Sequence, residues 1–72
     1  MKYYYNYCSN TCVNANRTDN SGVPYQGTCS TPVASKCYVG IGPNSNSGNL
    51  TTCISGYNYC QVIYKNKLVI YL

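Results

Sequence analysis

The stretch Gly56–Leu72, GYNYCQVIYKNKLVIYL, decides the fold because it concentrates the large aliphatic and β-branched side chains of the sequence. Residues of this type favour strands. Two such runs flank Asn66-Lys67, and Asn tolerates the positive φ that a tight turn requires. The stretch therefore predicts a C-terminal β-hairpin with strands Tyr59–Tyr64 and Lys67–Leu72.

Both faces of this predicted hairpin are apolar, which is unusual for a ribbon on a small domain. In the register set by the turn, one side carries Ile63, Leu68, Ile70 and Leu72, and the other carries Val62, Tyr64, Val69 and Tyr71. Antiparallel sheets commonly leave one face in water, and a chain of 72 residues has little material to cover two. Either tyrosines of the N-terminal run complete the core, or a second molecule covers one face.

The remainder of the sequence reads as short strands between frequent turns. No 3.6-residue apolar period indicates a helix, and Gly, Pro, Asn and Ser recur at short intervals. The polar stretches 13–27 and 42–49 are predicted to be an excursion and an exposed loop. The sequence predicts a single domain over residues 1–72, all-β, built as a small disulfide-rich antiparallel sheet or sandwich that ends in the hairpin. The other predicted strands are Lys2–Tyr7, Thr28–Ser30, Lys36–Ile41 and Leu50–Ser55.

Six cysteines in so short a chain indicate a disulfide framework. Zinc is the competing interpretation, but the sequence has no His and no C-x2-C knuckle, so we expect neither metal nor cofactor. Spacing leaves the connectivity open, because six cysteines allow 15 pairings. Pairing of sequence neighbours is sterically feasible, whereas bridges between distant cysteines would stabilise more. The cysteines are Cys8, Cys12, Cys29, Cys37, Cys53 and Cys60.

The composition favours an extracellular or cell-surface location. Charged residues make up 8% of the chain, against roughly 25% in ordinary soluble domains. The chain has 10 Tyr and no Phe, and Tyr suits half-buried positions where its hydroxyl reaches water or a partner. Because successive strand residues alternate between faces, Tyr3, Tyr4 and Tyr5 cannot all point inward. At least one of these rings should be exposed at a contact surface.

Several function classes are disfavoured by the same composition. Acid–base catalysis usually needs His or tuned carboxylates, and here the only acidic residue is Asp19, whose turn-rich surroundings predict a capping or solvated role. The net charge of +4 is scattered and forms no basic patch for nucleic acid. No apolar run approaches the roughly 20 residues of a membrane helix, and the start MKYYYNYC does not resemble a secretory leader. We expect a non-enzymatic protein that neither binds nucleic acid nor spans a membrane.

Two N-x-[ST] sequons place candidate glycosylation acceptors at Asn16 and Asn49. Both lie within or beside polar stretches, as an acceptor should. Their use depends on a compartment that performs the modification.

Two functional hypotheses remain. The first is a secreted structural module that assembles with copies of itself into a fibre, coat or matrix, with tyrosines lining the contact. The second is a toxin-like or effector-like module that acts on a receptor, channel, protease or glycan through the turn 65–67 and the loop 42–49. The predicted assembly interface comprises Val62, Ile63, Tyr64, Leu68, Val69, Ile70, Tyr71 and Leu72.

Overall fold

The computed structural model describes residues 2–29 and 35–66, and all regular structure in these ranges is β. The six strands are β1 Tyr3–Ser9, β2 Asn16–Thr18, β3 Pro24–Cys29, β4 Lys36–Gly42, β5 Asn49–Thr52 and β6 Tyr59–Lys65. Every pairing between them is antiparallel. The prediction of a small all-β, disulfide-rich antiparallel sheet is confirmed. Within the described ranges, no helix has the length and apolar character to cross a membrane.

Strand β6 lies at the centre of a six-stranded sheet with the order β2-β3-β6-β1-β4-β5. Along one edge it pairs with all seven residues of β1, and along the other Gln61–Tyr64 pairs with Gln26–Cys29 of β3. Both edges of β6 are thus occupied over Gln61–Tyr64. The predicted cross-strand partners of these residues, 69–72, lie outside the described ranges, within which Gln61–Tyr64 pair with β1 and β3. The second predicted hairpin strand, Lys67–Leu72, lies outside the described residues.

The polar stretch 13–27 was predicted to be a long excursion, but it contains two strands, β2 at Asn16–Thr18 and the first part of β3. Strands β2 and β3 form a hairpin with Arg17 opposite Tyr25. The connection is closed by Asp19, whose Oδ1 accepts hydrogen bonds from the backbone N–H groups of Ser21 and Val23. The polarity of β2 is compatible with a strand because β2 is an edge strand exposed along its whole length.

Strand β4 changes its pairing partner at Gly40. Its first four residues pair with β5, whereas residues 40–42 pair with β1. Two disulfides and a hydrogen bond from Asn6 Nδ2 to the Ser47 carbonyl (2.9 Å) tie the β4–β5 hairpin to one side of β1 and β6. We call this side the hairpin face. It carries Tyr4, Asn6 and Cys8 of β1 and Cys60, Val62 and Tyr64 of β6.

The opposite side, which we call the tyrosine face, carries Tyr3, Tyr5 and Tyr7 of β1 beside Gln61 and Ile63 of β6. The core between and around these strands is small. Among the described residues, Cys37 and Ile63 are the only buried apolar side chains, and Asn6, Ser9 and Gln61 are buried with them. A single antiparallel layer with a folded-over hairpin cannot enclose more than this.

Candidate functional site

All six cysteines are paired, as Cys8–Cys53, Cys12–Cys29 and Cys37–Cys60. Their Cα atoms lie 5.8, 5.7 and 5.2 Å apart, inside the range that disulfides require. None of the bridges is one of the short local pairs Cys8–Cys12, Cys29–Cys37 and Cys53–Cys60. The structure therefore selects distant pairing from the alternatives that spacing left open. Three disulfides are typical of chains that fold in an oxidising, extracellular-type environment.

Two of these disulfides touch each other under the β4–β5 hairpin. The Sγ atoms of Cys37 and Cys53, which belong to different bridges, are 3.4 Å apart, and the Sγ atom of Cys8 lies within 4.8 Å of both. Because every one of these sulfurs is held in a disulfide, the cluster offers no thiolate to a metal ion. We call Cys8, Cys37, Cys53 and Cys60 the four-cysteine cluster.

Tyr5, Tyr7 and Ile41 form an uncharged surface on the tyrosine face, and the charged Lys65 lies at the far end of this face, opposite Tyr3. Tyr5 is 45% exposed and pairs with Ile41, which is 67% exposed. The Tyr5 ring packs on the Tyr7 ring with 4.9 Å between centroids. Burial, followed by the neighbouring Tyr5 and Tyr25, raises the pKa of Tyr7 above its ordinary value of 10.0. The exposed ring of Tyr5 confirms that the run Tyr3–Tyr5 cannot be sealed inside.

Further large apolar side chains are exposed away from this face. Tyr38 and Leu50 lie opposite each other on the β4–β5 hairpin and are both exposed. Ile54 and Tyr57 are exposed in the connection to β6, where the Tyr57 N–H donates to the Ile54 carbonyl (2.9 Å). Exposed apolar groups of this size are expected at contact surfaces when they lie together.

The described part of the predicted assembly interface lies in the central strand. Ile63 is 8% exposed, while Val62 and Tyr64 are half-buried on the hairpin face. Strand addition at Gln61–Tyr64 is blocked because both edges are paired. Contact there would have to use the side chains of the sheet faces. The rest of the predicted interface, residues 68–72, lies outside the described residues.

An open groove of about 420 Å³ lies where β2, β3 and β6 meet. Its volume falls within the roughly 300–1,000 Å³ typical of small-ligand sites. The ring of Tyr64 forms part of its wall and packs on the Tyr4 ring, with 4.9 Å between centroids. The other lining groups are mostly amides and hydroxyls, with one charged side chain, Arg17. The amides and hydroxyls include those of Asn16, Thr18, Gln26 and Asn66.

The only acidic side chain pairs with a lysine of the central strand. Asp19 Oδ2 lies 2.6 Å from Lys65 Nζ, and this ammonium also stands 5.7 Å from the centre of the Tyr25 ring. The hydrogen bond from Lys65, followed by that from the Val23 N–H, lowers the pKa of Asp19. The same contact raises the pKa of Lys65. The predicted capping role of Asp19 is confirmed, and its carboxylate is fully engaged.

Both sequons lie in short edge strands and are accessible. Asn16 and Thr18 are exposed in β2, and Asn49 and Thr51 are exposed in β5. The Thr51 hydroxyl donates a hydrogen bond to the Asn49 carbonyl (2.9 Å). Their glycosylation remains a prediction.

Sequence reasoning missed Gln61, the most completely buried polar side chain of the described residues, at 1% exposure. Its Nε2 donates to the carbonyls of Val13 and Thr28 (both 2.9 Å), and its Oε1 accepts from the Val13 N–H (2.9 Å). The side chain thereby fastens the β1–β2 connection to β6. The available signal was a single amide within an otherwise apolar strand.

Comparison with known proteins identifies no similar protein. The chain matches no protein-family model, no curated protein and no solved structure.

Proposed function

We propose that this chain is a secreted, non-enzymatic structural module that associates with copies of itself into a coat, fibre or matrix. The observation that carries the proposal is the exposed apolar surface on a chain whose described residues bury very few apolar side chains. Ile41 and Tyr5 form the centre of this surface on the tyrosine face, and Tyr7 extends it.

A second copy is the occupant that best fits the tyrosine face. Tyr5, Tyr7 and Ile41 carry no charge, so two such faces can stack without burying an ion. The whole chain has a net charge of +4, which leaves only weak repulsion between copies at physiological ionic strength. Tyrosine hydroxyls at the rim can stay hydrated while their rings pack, which is the usual position of Tyr in interfaces.

The proposed contact includes the tyrosine face in addition to the interface that was predicted from sequence alone. Val62–Tyr64 can contribute through their side chains, and residues 68–72 stay part of the proposed interface. The tyrosine face adds a described surface to which the proposal can be tied. Association should therefore depend on Ile41 as well as on the C-terminal segment.

The test is sedimentation of the oxidised chain over a concentration series up to ~1 mM, a range in which weak associations become populated. The wild type should shift to larger species, and Ile41→Lys should remain a monomer because it places a charge in the centre of the stacking face. Asn46→Lys, which adds the same charge on the exposed β4–β5 loop, is the matched control and should behave as wild type. A truncation that lacks residues 68–72 reports separately on the C-terminal segment.

A wild-type chain that remains a monomer throughout the series would refute self-association. Equal weakening by Ile41→Lys and Asn46→Lys would show that net charge, and no particular face, governs the behaviour. Either result would favour ligand binding in the groove as the function.

The groove supports the second candidate function, a secreted binding module that takes a neutral polar ligand such as a glycan. Amides and a half-buried aromatic ring are the groups that hydrogen-bond sugar hydroxyls and pack on sugar rings. Lys65 of the proposed turn is already paired with Asp19 and does not line the groove, so the amides and the ring would carry recognition, with Arg17 as the charged side chain of the lining. Because Asn16 lines the groove, an N-glycan on Asn16 would obstruct it.

Binding to an array of neutral and acidic glycans tests this second candidate. Tyr64→Ala and Gln26→Ala should abolish the signal, whereas Lys65→Ala/Lys67→Ala should leave it unchanged if the amides and the ring carry recognition. Absence of any bound glycan, with the wild type monodisperse and folded, would remove the support for this function.

A further inference from the structure

We propose that the four-cysteine cluster is a thiol–disulfide exchange site, at which a small thiol converts the pairs Cys8–Cys53 and Cys37–Cys60 into Cys8–Cys60 and Cys37–Cys53. The substrate class is a low-molecular-weight thiolate or the thiolate of an oxidoreductase. The proposal does not depend on self-association or on the groove.

The two disulfides are in contact, and Cys37 is the least solvent-exposed of their four cysteines. The Sγ atoms of Cys37 and Cys53 are 3.4 Å apart, although they belong to different bridges. Cys37 is 2% exposed, whereas Cys8, Cys53 and Cys60 are half-buried. An external thiol can therefore reach the Cys8–Cys53 bridge, and the Cys37 sulfur is reached from inside the cluster by Cys53.

The alternative partners already face each other. Cys8 and Cys60 are directly opposite in the β1–β6 ladder. Residues opposite each other in an antiparallel pair have Cα atoms roughly 4.5–5.5 Å apart, which lies within the roughly 4.4–6.8 Å that a disulfide spans. Cys53 directly follows β5 and lies diagonally across from Cys37, which is opposite Thr51. The Cys8–Cys60 bridge can form within the present ladder. The Cys37–Cys53 bridge joins diagonal neighbours, which are usually roughly 7–8 Å apart, so it needs a small backbone shift at Cys53, which lies just beyond the end of β5.

The exchange is balanced and regenerates the external thiol. First, the thiolate attacks Cys8 Sγ, breaks the Cys8–Cys53 bond, and leaves a mixed disulfide on Cys8 and a thiolate on Cys53. Second, the Cys53 thiolate attacks Cys37 Sγ, forms Cys37–Cys53 and releases the Cys60 thiolate. Third, the Cys60 thiolate attacks Cys8 Sγ, forms Cys8–Cys60 and expels the external thiolate. No net oxidation or reduction occurs.

The consequence is release of the β4–β5 hairpin. The present bridges join this hairpin to β1 and β6, whereas the new bridges lie within the hairpin and between β1 and β6. The described contacts that remain across this junction include the Asn6–Ser47 hydrogen bond and the pairing of residues 4–6 with 40–42. A pocket of about 320 Å³, lined in part by Asn6 and Leu50, also lies there, so apolar packing does little to hold the hairpin down.

The experiment maps disulfides after incubating the oxidised wild-type chain with less than one equivalent of reduced glutathione. Free thiols are blocked with N-ethylmaleimide, and the chain is digested with trypsin and chymotrypsin under non-reducing conditions. Cleavage after Lys36, Tyr38 and Tyr57 places Cys37, Cys53 and Cys60 on separate peptides. We expect the Cys8–Cys60 and Cys37–Cys53 peptides to appear in equal amounts and to rise at least ~tenfold over the untreated chain.

The third bridge, Cys12–Cys29, is the internal control. Cys29 pairs with Gln61 and so lies on the tyrosine face, away from the cluster. No tryptic or chymotryptic site separates Cys8 from Cys12, so both stay on one peptide, and its fragmentation by electron transfer assigns the partner of each cysteine. Cys12 should remain bound to Cys29 before and after the treatment. The proposal is overturned if glutathione adducts accumulate with no new bridges, or if Cys12 and Cys29 scramble as readily as the other four cysteines.

A double variant tests the new pairing without an external thiol. Cys37→Ser/Cys53→Ser leaves Cys8 and Cys60 opposite each other, and we expect them to form a disulfide on oxidation with glutathione disulfide. Two thiols that stay free, or that pair only between chains, would contradict the proposed geometry. The wild-type mapping stands alone as the test if this variant does not fold.

Discussion

The buried side-chain amide of Gln61 connects β6 to Val13 of the β1–β2 connection, which no disulfide joins at that residue. Gln61 of β6 replaces a strand partner for Val13, because its side chain satisfies both the N–H and the carbonyl of that residue. A buried polar group is tolerated only when it is hydrogen-bonded, and loss of one partner leaves the other unsatisfied. The tie also explains Gly27, where a Cβ atom would lie 2.9 Å from the Val13 side chain and carbonyl.

We therefore predict that Gln61→Leu destabilises the chain by about 2–3 kcal/mol, since two backbone groups of Val13 lose their partners in a buried setting. Urea unfolding of the oxidised chain at neutral pH measures this change. Gln26→Leu, at an exposed position of neighbouring β3, is the matched control and should change stability by less than about 0.5 kcal/mol. Equal effects of the two variants would mean that the Gln61 clamp contributes nothing beyond side-chain size.

A single residue, Asp19, also determines how the unfolding free energy changes in acid. The folded pKa of Asp19 lies below its ordinary value of 3.8, so its contribution to stability is complete above that value and is lost as the pH falls through the folded pKa. Because Asp19 is the only acidic side chain, Asp19→Asn should flatten the dependence of unfolding free energy on pH below about 5. Denaturant midpoints at pH 7, 5, 4, 3 and 2 provide the measurement.

Lys65→Met separates the two causes of that shift. It removes the larger cause, the hydrogen bond from Lys65, and leaves the backbone N–H groups of Val23 and Ser21 in place. The slope should then lie between those of the wild type and Asp19→Asn. An acid dependence in Asp19→Asn identical to that of the wild type would show that Asp19 does not govern it.

At the scale of the elements, the β4–β5 hairpin depends on a close approach of two backbones. Gly48 has φ of 101°, and a Cβ atom built on it would collide with the Val39 carbonyl. Gly56 also has a positive φ, of 91°, but no atom lies within 4 Å of its would-be Cβ. The two glycines thus share a backbone conformation and differ in their surroundings.

This difference gives a matched pair of variants. Gly56→Ala should cost about 1–2 kcal/mol, the price of a side chain in left-handed backbone. Gly48→Ala should cost at least about 1 kcal/mol more, because overlap with Val39 adds to the same conformational penalty. Thermal or urea unfolding compares the two directly. Similar costs would show that the hairpin yields to the added methyl group.

The sequence predicts most of the strands but not their neighbours in the sheet. Five of the predicted strands overlap observed ones, because alternating Tyr, Val and Ile at β1, β4 and β6 carry their signal locally. Strand β2 was missed because an edge strand exposed on both faces can be as polar as a loop. The neighbours of β6 were missed because its apolar pattern indicates burial without identifying the strands on either side. The groove was missed for a related reason, since its lining comes from strands far apart in sequence.

At the scale of the whole molecule, disulfides add to the stability that the small apolar core of the described residues provides. The bridges close segments with sequence separations of 45, 23 and 17 residues, for Cys8–Cys53, Cys37–Cys60 and Cys12–Cys29. In the chain-entropy model, their individual contributions are about 4.0, 3.4 and 3.1 kcal/mol. A chain of this length is expected to have a net stability of only about 4–11 kcal/mol. Full reduction should therefore unfold it.

We predict that Cys8→Ala/Cys53→Ala is more destabilising than Cys12→Ala/Cys29→Ala, since it frees the longer loop and also one of the two bridges that hold the hairpin. Urea unfolding of both double variants measures the order, and circular dichroism with and without excess dithiothreitol measures the effect of full reduction. A reduced chain that kept its β spectrum would show that packing and hydrogen bonds suffice. The reverse order of the two variants would instead place the stabilising role of the disulfides at the β1–β2 connection, where Gln61 already acts.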